Sequence, residues 1–327
     1  MRVLITTDWY KPVVNGVVTS VVNLREELIR QGNEVKILTL SPDQRSYVDD
    51  EVYYIQSADA GKIYPHARFS ICLWHPFFRL LADWKPDVIH SQCEFSTFLY
   101  AHTIARMTQA PIVHTYHTIY EDYTHYFSPS EAVGKTLVRK FSRCVLNHTD
   151  LVIAPTKKVE RLLAEYEVEA PVETIPTGIS LERFDRTMDH EERKQFRNSL
   201  GIGPEERVLV ILGRLAQEKN VEEILGFLCR RKNLRCLIVG GGPYREVLEA
   251  RVRELELDGR VIFTGMVPPE ETGRYYRAGD IFVSASNSET QGLTYVEALA
   301  CGLPAICRKD DCLEGVIENG YNGWQYE

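Results

Sequence analysis

The chain of 327 residues is long enough for two domains, and 44% hydrophobic with 26% charged residues is the composition of a folded protein. A net charge of −8 and a pI near 5.7 give no broad basic surface, so we do not expect nucleic acid as a partner. The eight cysteines form no C-x-x-C pair, which favours reduced thiols in a cytoplasmic protein. Asp8 interrupts any signal-like start, and no apolar run reaches the length of a membrane span.

Short apolar strands alternate with helices along the chain, a pattern typical of parallel sheets covered on both faces. The first predicted strands are residues 3–6, 35–40, 88–90, 112–115 and 151–154. The second series is residues 208–212, 236–239, 261–264, 281–284 and 305–307, with helices such as 221–228 and 244–255 between them. A segment containing Pro176 and Gly178 separates the two series, so the predicted domains are residues 1–178 and 179–327.

Two carboxylates frame the loop that follows the predicted strand 281–284. Glu289 lies at the carboxyl end of this strand, and Glu297 lies in a helix predicted over residues 294–300. Both can face one crevice, with the amides of Gly292 and Leu293 between them. Carboxylates accept hydrogen bonds from sugar hydroxyls, and amides at a helix start favour phosphate. The ligand that needs all of these groups is a nucleotide sugar.

A second candidate site follows the predicted strand 208–212. Arg214 and Lys219 lie five positions apart, so both can reach one diphosphate, and Gly213 permits close approach of the backbone. Such cations would stabilise a departing nucleotide diphosphate. The alternative for each residue alone is an ordinary solvated position. Residues 240–242, three glycines after a strand, predict a tight turn. The sequence has no acidic metal cluster, so we expect no cofactor and no metal.

The string SETQGLTYVEALACGLP, residues 288–304, resembles the signature of the retaining glycosyltransferases of family 4. The resemblance implies an α/β protein of the GT-B fold, with two Rossmann-like, doubly wound parallel-sheet domains facing a cleft. The first domain would serve the acceptor and the second would bind the nucleotide sugar. Glu289 would contact the donor sugar, Glu297 the ribose, and Arg214 and Lys219 the diphosphate. Thr290 and Gln291 replace the aromatic residue and glycine of many members, which leaves the donor sugar open.

The same resemblance implies roles for further positions. His117 matches the active-site histidine beside the reacting sugar. Gly16 belongs to a first loop that passes near the donor phosphate, where glycine could tolerate a positive φ or a close contact. The remaining donor-binding positions that the resemblance implies are Gly213, Met266, Val267, Gln291, Gly292 and Leu293.

Residues 114–126, HTYHTIYEDYTHY, resemble more narrowly the Gram-positive enzymes that glucosylate diacylglycerol for glycolipids and lipoteichoic-acid anchors. This resemblance implies UDP-glucose as donor, diacylglycerol as acceptor and a peripheral position on the inner face of the cell membrane. Two segments, 69–84 and 130–148, are candidates for contact with anionic lipid. In the second, cations lie apart from an apolar face formed by Leu137, Phe141, Cys144 and Val145. The alternative is a helix packed on its own sheet with a charged face in water.

Other functions stay open on sequence grounds. The donor could be GDP-mannose or UDP-galactose, and the acceptor a glycosylated lipid or a soluble sugar. A non-catalytic nucleotide-sugar-binding subunit and a nucleotide-sugar 2-epimerase are further alternatives. No residue stands out as a covalent nucleophile, which favours attack from the face of the leaving group. Family members continue with final helices beyond the segment matching residues 318–323, and we expect this sequence to lack them.

Overall fold

A computed structural model describes residues 1–61, 67–72, 74–126 and 128–327, without the side chains of residues 125, 126 and 185. Residue 73 of the candidate segment 69–84 therefore lies outside the described residues, as do two side chains of the segment 114–126. The chain divides into two compact units, Met1–Gly178 and Ile179–Glu327. The division falls after Gly178, where the sequence places the domain boundary.

The first unit is built on an eight-stranded sheet. Its elements in chain order are β1 Arg2–Thr7, α1 Gly16–Arg30, β2 Glu34–Leu40, β3 Tyr47–Asp49, β4 Val52–Ile55, β5 Ala58–Asp59, β6 Arg68–Phe69, α2 Pro76–Asp83, β7 Val88–Ser91, α3 Ser96–Thr108, β8 Ile112–Thr115, α4 Glu131–Leu146, β9 Leu151–Ala154, α5 Lys157–Glu165 and β10 Val172–Thr174. The strand order is β10-β9-β8-β7-β1-β2-β4-β3, and only the β3–β4 pair is antiparallel in this sheet. Strands β5 and β6 form a separate antiparallel pair.

Alternate residues of β1 enter different cores on the two faces of this sheet. Ile5 packs with Ile37 in the core that includes α1, whereas Leu4 packs with Leu38 in the core under α2 and α3. Because both faces are covered, the strands are nearly continuous apolar runs. This explains why the sequence predicts β1, β2, β7, β8 and β9 within two residues at each end.

The second unit is a six-stranded, fully parallel sheet. Its elements are α6 Glu182–Asp185, α7 His190–Ser199, β11 Arg207–Leu212, α8 Val221–Cys229, β12 Leu234–Val239, α9 Arg245–Glu254, β13 Val261–Gly265, α10 Thr272–Ala278, β14 Ile281–Ser284, α11 Leu293–Ala300, β15 Ala305–Arg308 and β16 Gly323–Tyr326. The strand order is β13-β12-β11-β14-β15-β16. Since β11 lies between β12 and β14, the loops that leave all three strands share one edge, where ligands bind in open α/β sheets.

Helix α4 buries a face of small and apolar residues that differs from the predicted apolar face. The buried positions are Gly134, Val138, Ser142 and Leu146. A Cβ on Gly134 would lie 2.8 Å from the Cβ of Thr124, so glycine lets the helix pack closely. Leu137 and Phe141 are 55% and 37% exposed. Their apolar stripe therefore faces away from the core. None of the described helices is both long and apolar enough to cross a membrane.

Candidate active site

The turn after β11 and the turn after β12 are in close contact at the edge of the second unit's sheet where ligands bind in such folds. The Gly213 amide donates to the Val239 carbonyl at 2.9 Å. A Cβ on Gly240 would lie 1.9 Å from the Gly213 carbonyl oxygen, and one on Gly242 would lie 2.2 Å from that of Leu215. The φ angles of the three glycines are 144°, 137° and 156°. These contacts confirm the predicted tight turn over residues 240–242 and show why side chains are excluded from it.

Both predicted cations lie beside carboxylates. Arg214 donates through Nη2 to Glu218 Oε1, and the Glu218 side chain is 5% exposed. Lys219 Nζ lies 2.7 Å from Glu289 Oε1 and 3.4 Å from the Ser288 carbonyl oxygen. The structure thus brings Lys219 and Glu289 together from the loops after β11 and β14, as a common ligand requires.

The start of α11 presents backbone amides three residues after Glu289. Gly292 is the N-cap residue with a φ of 75°, and no side chain caps the helix that begins at Leu293. A Cβ on Gly292 would lie 2.7 Å from Cδ2 of the buried Tyr295 ring. The first amides of a helix have no partner inside it and favour an anion. This geometry fits the donor-loop role predicted for Gln291, Gly292 and Leu293.

Glu297, on the next turn of α11, has a different partner. The Tyr276 hydroxyl of α10 donates to Glu297 Oε2 at 2.9 Å. The pKa of the Glu297 carboxyl is raised, because the effect of burial exceeds the opposing effects of the hydrogen bond from Tyr276 and the charge of Arg183. The carboxylate is therefore held at a set orientation, and its predicted contact with ribose stays a prediction.

Met266 and Val267 follow β13 at the same sheet edge. The Gly240 amide donates to the Gly265 carbonyl at 2.9 Å, and Met266 is 60% exposed. A Cβ on Gly241 would lie 3.0 Å from Met266 Cγ, so the segment abuts the glycine turn. The position suits the nucleobase contact that the resemblance implies, which stays a prediction.

In the first unit, His117 is tied to Gln92, the residue after β7. His117 Nε2 lies 2.7 Å from Gln92 Oε1. Burial, with the neighbouring His114 and His90, lowers the pKa of His117 to about 3. His117 is thus neutral at pH 7, and Gln92 accepts from its Nε2–H. The neutral ring gives its one N–H to Gln92, so its other nitrogen, Nδ1, is an acceptor, which suits a sugar hydroxyl better than an anion.

Buried polar groups surround this histidine. His114 is fully buried with its Nε2 3.2 Å from Glu94 Oε1, and the Tyr120 hydroxyl donates to Glu94 Oε2. Asp8 accepts from the Thr97 amide at 2.9 Å, and burial raises the pKa of Asp8 to about 6. The carboxyl ends of β1, β7 and β8 therefore carry a cluster of buried, hydrogen-bonded polar groups.

Gly16 does not adopt the positive φ that a glycine could tolerate in this loop. Gly16 is the first residue of α1 and has no left-handed φ, because that position takes ordinary helical angles. A Cβ there would meet no described atom within 4 Å. Asn15 caps the helix by accepting from the Val18 amide at 2.9 Å. Contact of Gly16 with a donor phosphate stays a prediction.

Sequence reasoning missed the partners that hold the site residues: Glu218, Gln92, Tyr276 and Glu94. The roles of Gln92, Tyr276 and Glu94 depend on tertiary pairing, whereas Glu218 pairs with Arg214 four residues earlier in the chain. All eight cysteines are free thiols, as the sequence predicts. The expectation that the reaction needs no metal stays a prediction.

Comparison with known proteins matches both parts of the chain to glycosyltransferases. The family model described as Glycosyltransferase Family 4 matches residues 14–183, and Glycosyl transferases group 1 matches residues 192–327. Alpha-monoglucosyldiacylglycerol synthase of Streptococcus pneumoniae is 38% identical over 332 residues, covering 100% of this chain and 75% of the relative. The protein of the same name from Acholeplasma laidlawii is 35% identical, covering 99% and 84%.

Solved structures show the same fold. HepE of Anabaena in complex with UDP-glucose has a TM-score of 0.76 at 17% identity, covering 100% of this chain and 85% of that one. Sucrose-phosphate synthase of Thermosynechococcus elongatus has a TM-score of 0.75 at 21% identity, covering 99% and 85%. The two parallel-sheet units are those of a GT-B glycosyltransferase. The chain belongs to glycosyltransferase family 4. It is a hexosyltransferase, and retention of the anomeric configuration is typical of this family.

Proposed function

We propose that this enzyme transfers glucose from UDP-glucose to the free hydroxyl of diacylglycerol, making a membrane glycolipid. The observation that carries the proposal is the match along the whole chain to two relatives named alpha-monoglucosyldiacylglycerol synthase. The Lys219–Glu289 pair at the ligand edge of the second unit supports it, because a sugar with a diphosphate needs an acceptor for hydroxyls beside a cation.

Each group of the second unit has a role in this reaction. Arg214 and Lys219 bind the diphosphate and stabilise the charge that it gains as the anomeric bond breaks. Glu289 accepts from the sugar hydroxyls, and Glu297 from the ribose. The diphosphate oxygen then takes the proton of the attacking alcohol on the face that the leaving group occupies, so the product keeps the anomeric configuration. His117 contacts the sugar as a neutral acceptor, through Nδ1.

We also propose that the first unit docks on anionic lipid at the inner face of the cell membrane. Val133, Leu137 and Phe141 form an exposed stripe on α4, and the Phe141 ring stacks on Phe95 with centroids 5.5 Å apart. Phe95 is 50% exposed and Leu99, one turn along α3, is 54% exposed. Together these five side chains make one apolar surface, here called the α3–α4 patch.

Positive charge accompanies the patch. Lys140, three residues after Leu137 on α4, is exposed beside the stripe and makes no ion pair with any residue that the structure describes. By contrast, Lys135 pairs with Glu131 at 2.7 Å, and Arg143 pairs with Glu167 and Glu169. Apolar side chains beside an unpaired cation suit the boundary of an anionic bilayer, at about 1 kcal/mol for each well-placed cation.

A donor panel tests the reaction. Radiolabelled UDP-glucose, UDP-galactose and GDP-mannose are each offered with diacylglycerol, monoglucosyldiacylglycerol or a soluble sugar, and lipid products are separated by thin-layer chromatography. We expect label in a monoglucosyl lipid from UDP-glucose and diacylglycerol. GDP-mannose is included because a relative named GDP-mannose-dependent alpha-mannosyltransferase, from Corynebacterium glutamicum, is 26% identical over 99% of this chain. Transfer from GDP-mannose alone would refute the proposed donor, and no transfer with intact binding would favour a non-catalytic subunit.

A further inference from the structure

Glu218 is the most deeply buried charged group beside the diphosphate site. It lies in the short 3-10 turn Gln217–Lys219, its side chain is 5% exposed, and its Oε1 accepts from Arg214 Nη2. The second oxygen, Oε2, is buried and accepts no hydrogen bond from the residues that the structure describes. A buried carboxylate is costly unless it is paired. The guanidinium of Arg214 therefore compensates this charge and is held in one orientation by it.

The backbone of the same residue joins two loops. The Glu218 carbonyl oxygen accepts from the Asn287 amide at 3.1 Å. The next side chain along the chain, Lys219, reaches the Ser288 carbonyl and the Glu289 carboxylate. Residues 218 and 219 thus fasten the loop after β11 to the loop after β14, so displacement of one loop would move the other.

We propose that Glu218 is a positioning residue for the donor diphosphate, acting through Arg214. The inference rests on the proposed function of the second unit as the nucleotide-sugar site. A guanidinium carries five N–H donors in a fixed fork, so Arg214 can keep its bond to Glu218 and still donate to a phosphate. Because the side chain is oriented before the ligand arrives, less conformational entropy is lost on binding.

The test compares Glu218→Gln with a matched control, Glu222→Gln. Gln keeps the size and an acceptor oxygen but removes the charge that fixes Arg214. Glu222 is a nearby glutamate whose Oε2 accepts from the Tyr244 hydroxyl at 3.1 Å. We expect Glu218→Gln to weaken UDP binding about 10-fold by calorimetry, as loss of one charged pair would. Uridine, which has no phosphate, should bind both variants as it binds the parent, measured by ligand-observed NMR.

A double-mutant cycle separates positioning from a general structural role. If Glu218 acts through Arg214, Glu218→Gln should cause no further loss of UDP affinity in an Arg214→Ala background. Should Glu218→Gln not fold, Glu218→Asp keeps the charge on a shorter side chain and should lose less UDP affinity than Arg214→Ala alone.

Three results would overturn the inference: unchanged UDP affinity in Glu218→Gln, additive losses in the double variant, or an equal loss for uridine. A parent protein that binds neither UDP nor UDP-glucose would refute the proposed function as well. UDP binding by the parent with an unaffected Glu218→Gln variant would refute the positioning role alone.

Discussion

The Lys219 ammonium and the Glu289 carboxylate lie 2.7 Å apart, with side chains 25% and 14% exposed. Two groups expected to hold different parts of one donor are thus paired with each other. Binding a diphosphate sugar must loosen or share this pair, since the ammonium would turn to phosphate and the carboxylate to hydroxyls. The pair compensates two part-buried charges.

Removing either member of the pair should abolish most of the transfer. We expect Lys219→Ala and Glu289→Ala each to lower kcat/KM at least about 100-fold, because a lost electrostatic donor typically costs that much. Steady-state rates with UDP-glucose, alongside circular dichroism to check folding, provide the measurement. Lys309→Ala removes a lysine from the exposed Lys309–Glu327 pair and is the control. Parental turnover in both site variants would refute the site.

Gly292→Ala should destabilise the second unit. A left-handed φ of 75° is unfavourable for alanine, and its Cβ would press on Tyr295. We expect a loss of about 1–3 kcal/mol in the free energy of unfolding, measured by urea titration. Gly226→Ala is the matched control, because Gly226 lies inside α8 with no described atom within 4 Å of an added Cβ. That change should be neutral or stabilise by up to about 1 kcal/mol.

Stability should fall on acidification from pH 6.5 towards pH 4. Burial lowers the pKa of His117 to about 3 and that of His90 to about 4, from 6.5. Between pH 4 and 6.5 these two histidines bind protons in the unfolded chain but not in the folded chain. Each histidine therefore contributes stability that increases with pH, by at most about 1.4 kcal/mol per pH unit. Asp8 has the opposite effect on the pH dependence of stability. Its pKa rises from 3.8 to about 6 on folding, so Asp8 stays protonated to a higher pH in the folded chain than in the unfolded chain.

Two variants should therefore change the slope in opposite directions. His117→Gln should flatten the dependence of the urea midpoint on pH between 4 and 6.5, and Asp8→Asn, which can still accept from Thr97, should steepen it. His190→Gln removes an exposed histidine and should leave the dependence of the urea midpoint on pH unchanged. Parallel curves for all three variants and the parent would contradict the assignment of buried titrating groups.

Charge placed in the α3–α4 patch should prevent membrane binding. We expect Leu137→Glu to reduce sedimentation with vesicles rich in phosphatidylglycerol by about 10-fold or more, because it removes apolar contact and adds repulsion from anionic lipid. Val247→Glu makes the same kind of change on α9, at a side chain 44% exposed, and should bind as the parent does. Binding of the parent that is independent of anionic lipid would exclude this surface.

Sequence patterns predicted the central strands well because these are buried on both faces and uninterrupted. The edge strands β3, β10 and β16 were missed, since short, partly exposed strands carry little apolar signal. Strand β4 was missed as well, although it lies inside the sheet and is largely buried. The buried face of α4 was also missed. It uses Gly134 and Ser142, whose small size matters only against a particular neighbour.

The candidate site was predictable where one loop carries several matching residues, as from Glu289 to Glu297. It was not predictable where a residue acts through a distant partner. Nothing local to Gln92 indicates a bond to His117, and nothing local to Tyr276 indicates one to Glu297. Such pairs are decided by which loops the sheet order brings together.

The glycine-lined contact between the turns after β11 and β12 has a consequence for how the enzyme meets its donor. Hydrogen bonds from the Gly213, Leu215 and Tyr244 amides continue the ladder of the sheet beyond the strand ends. The loop after β11 is thus formed when the protein folds, and it unfolds cooperatively with the core. Hydrogen exchange at these three amides should be slow in the free enzyme, unlike that of a loop that becomes ordered only around its substrate.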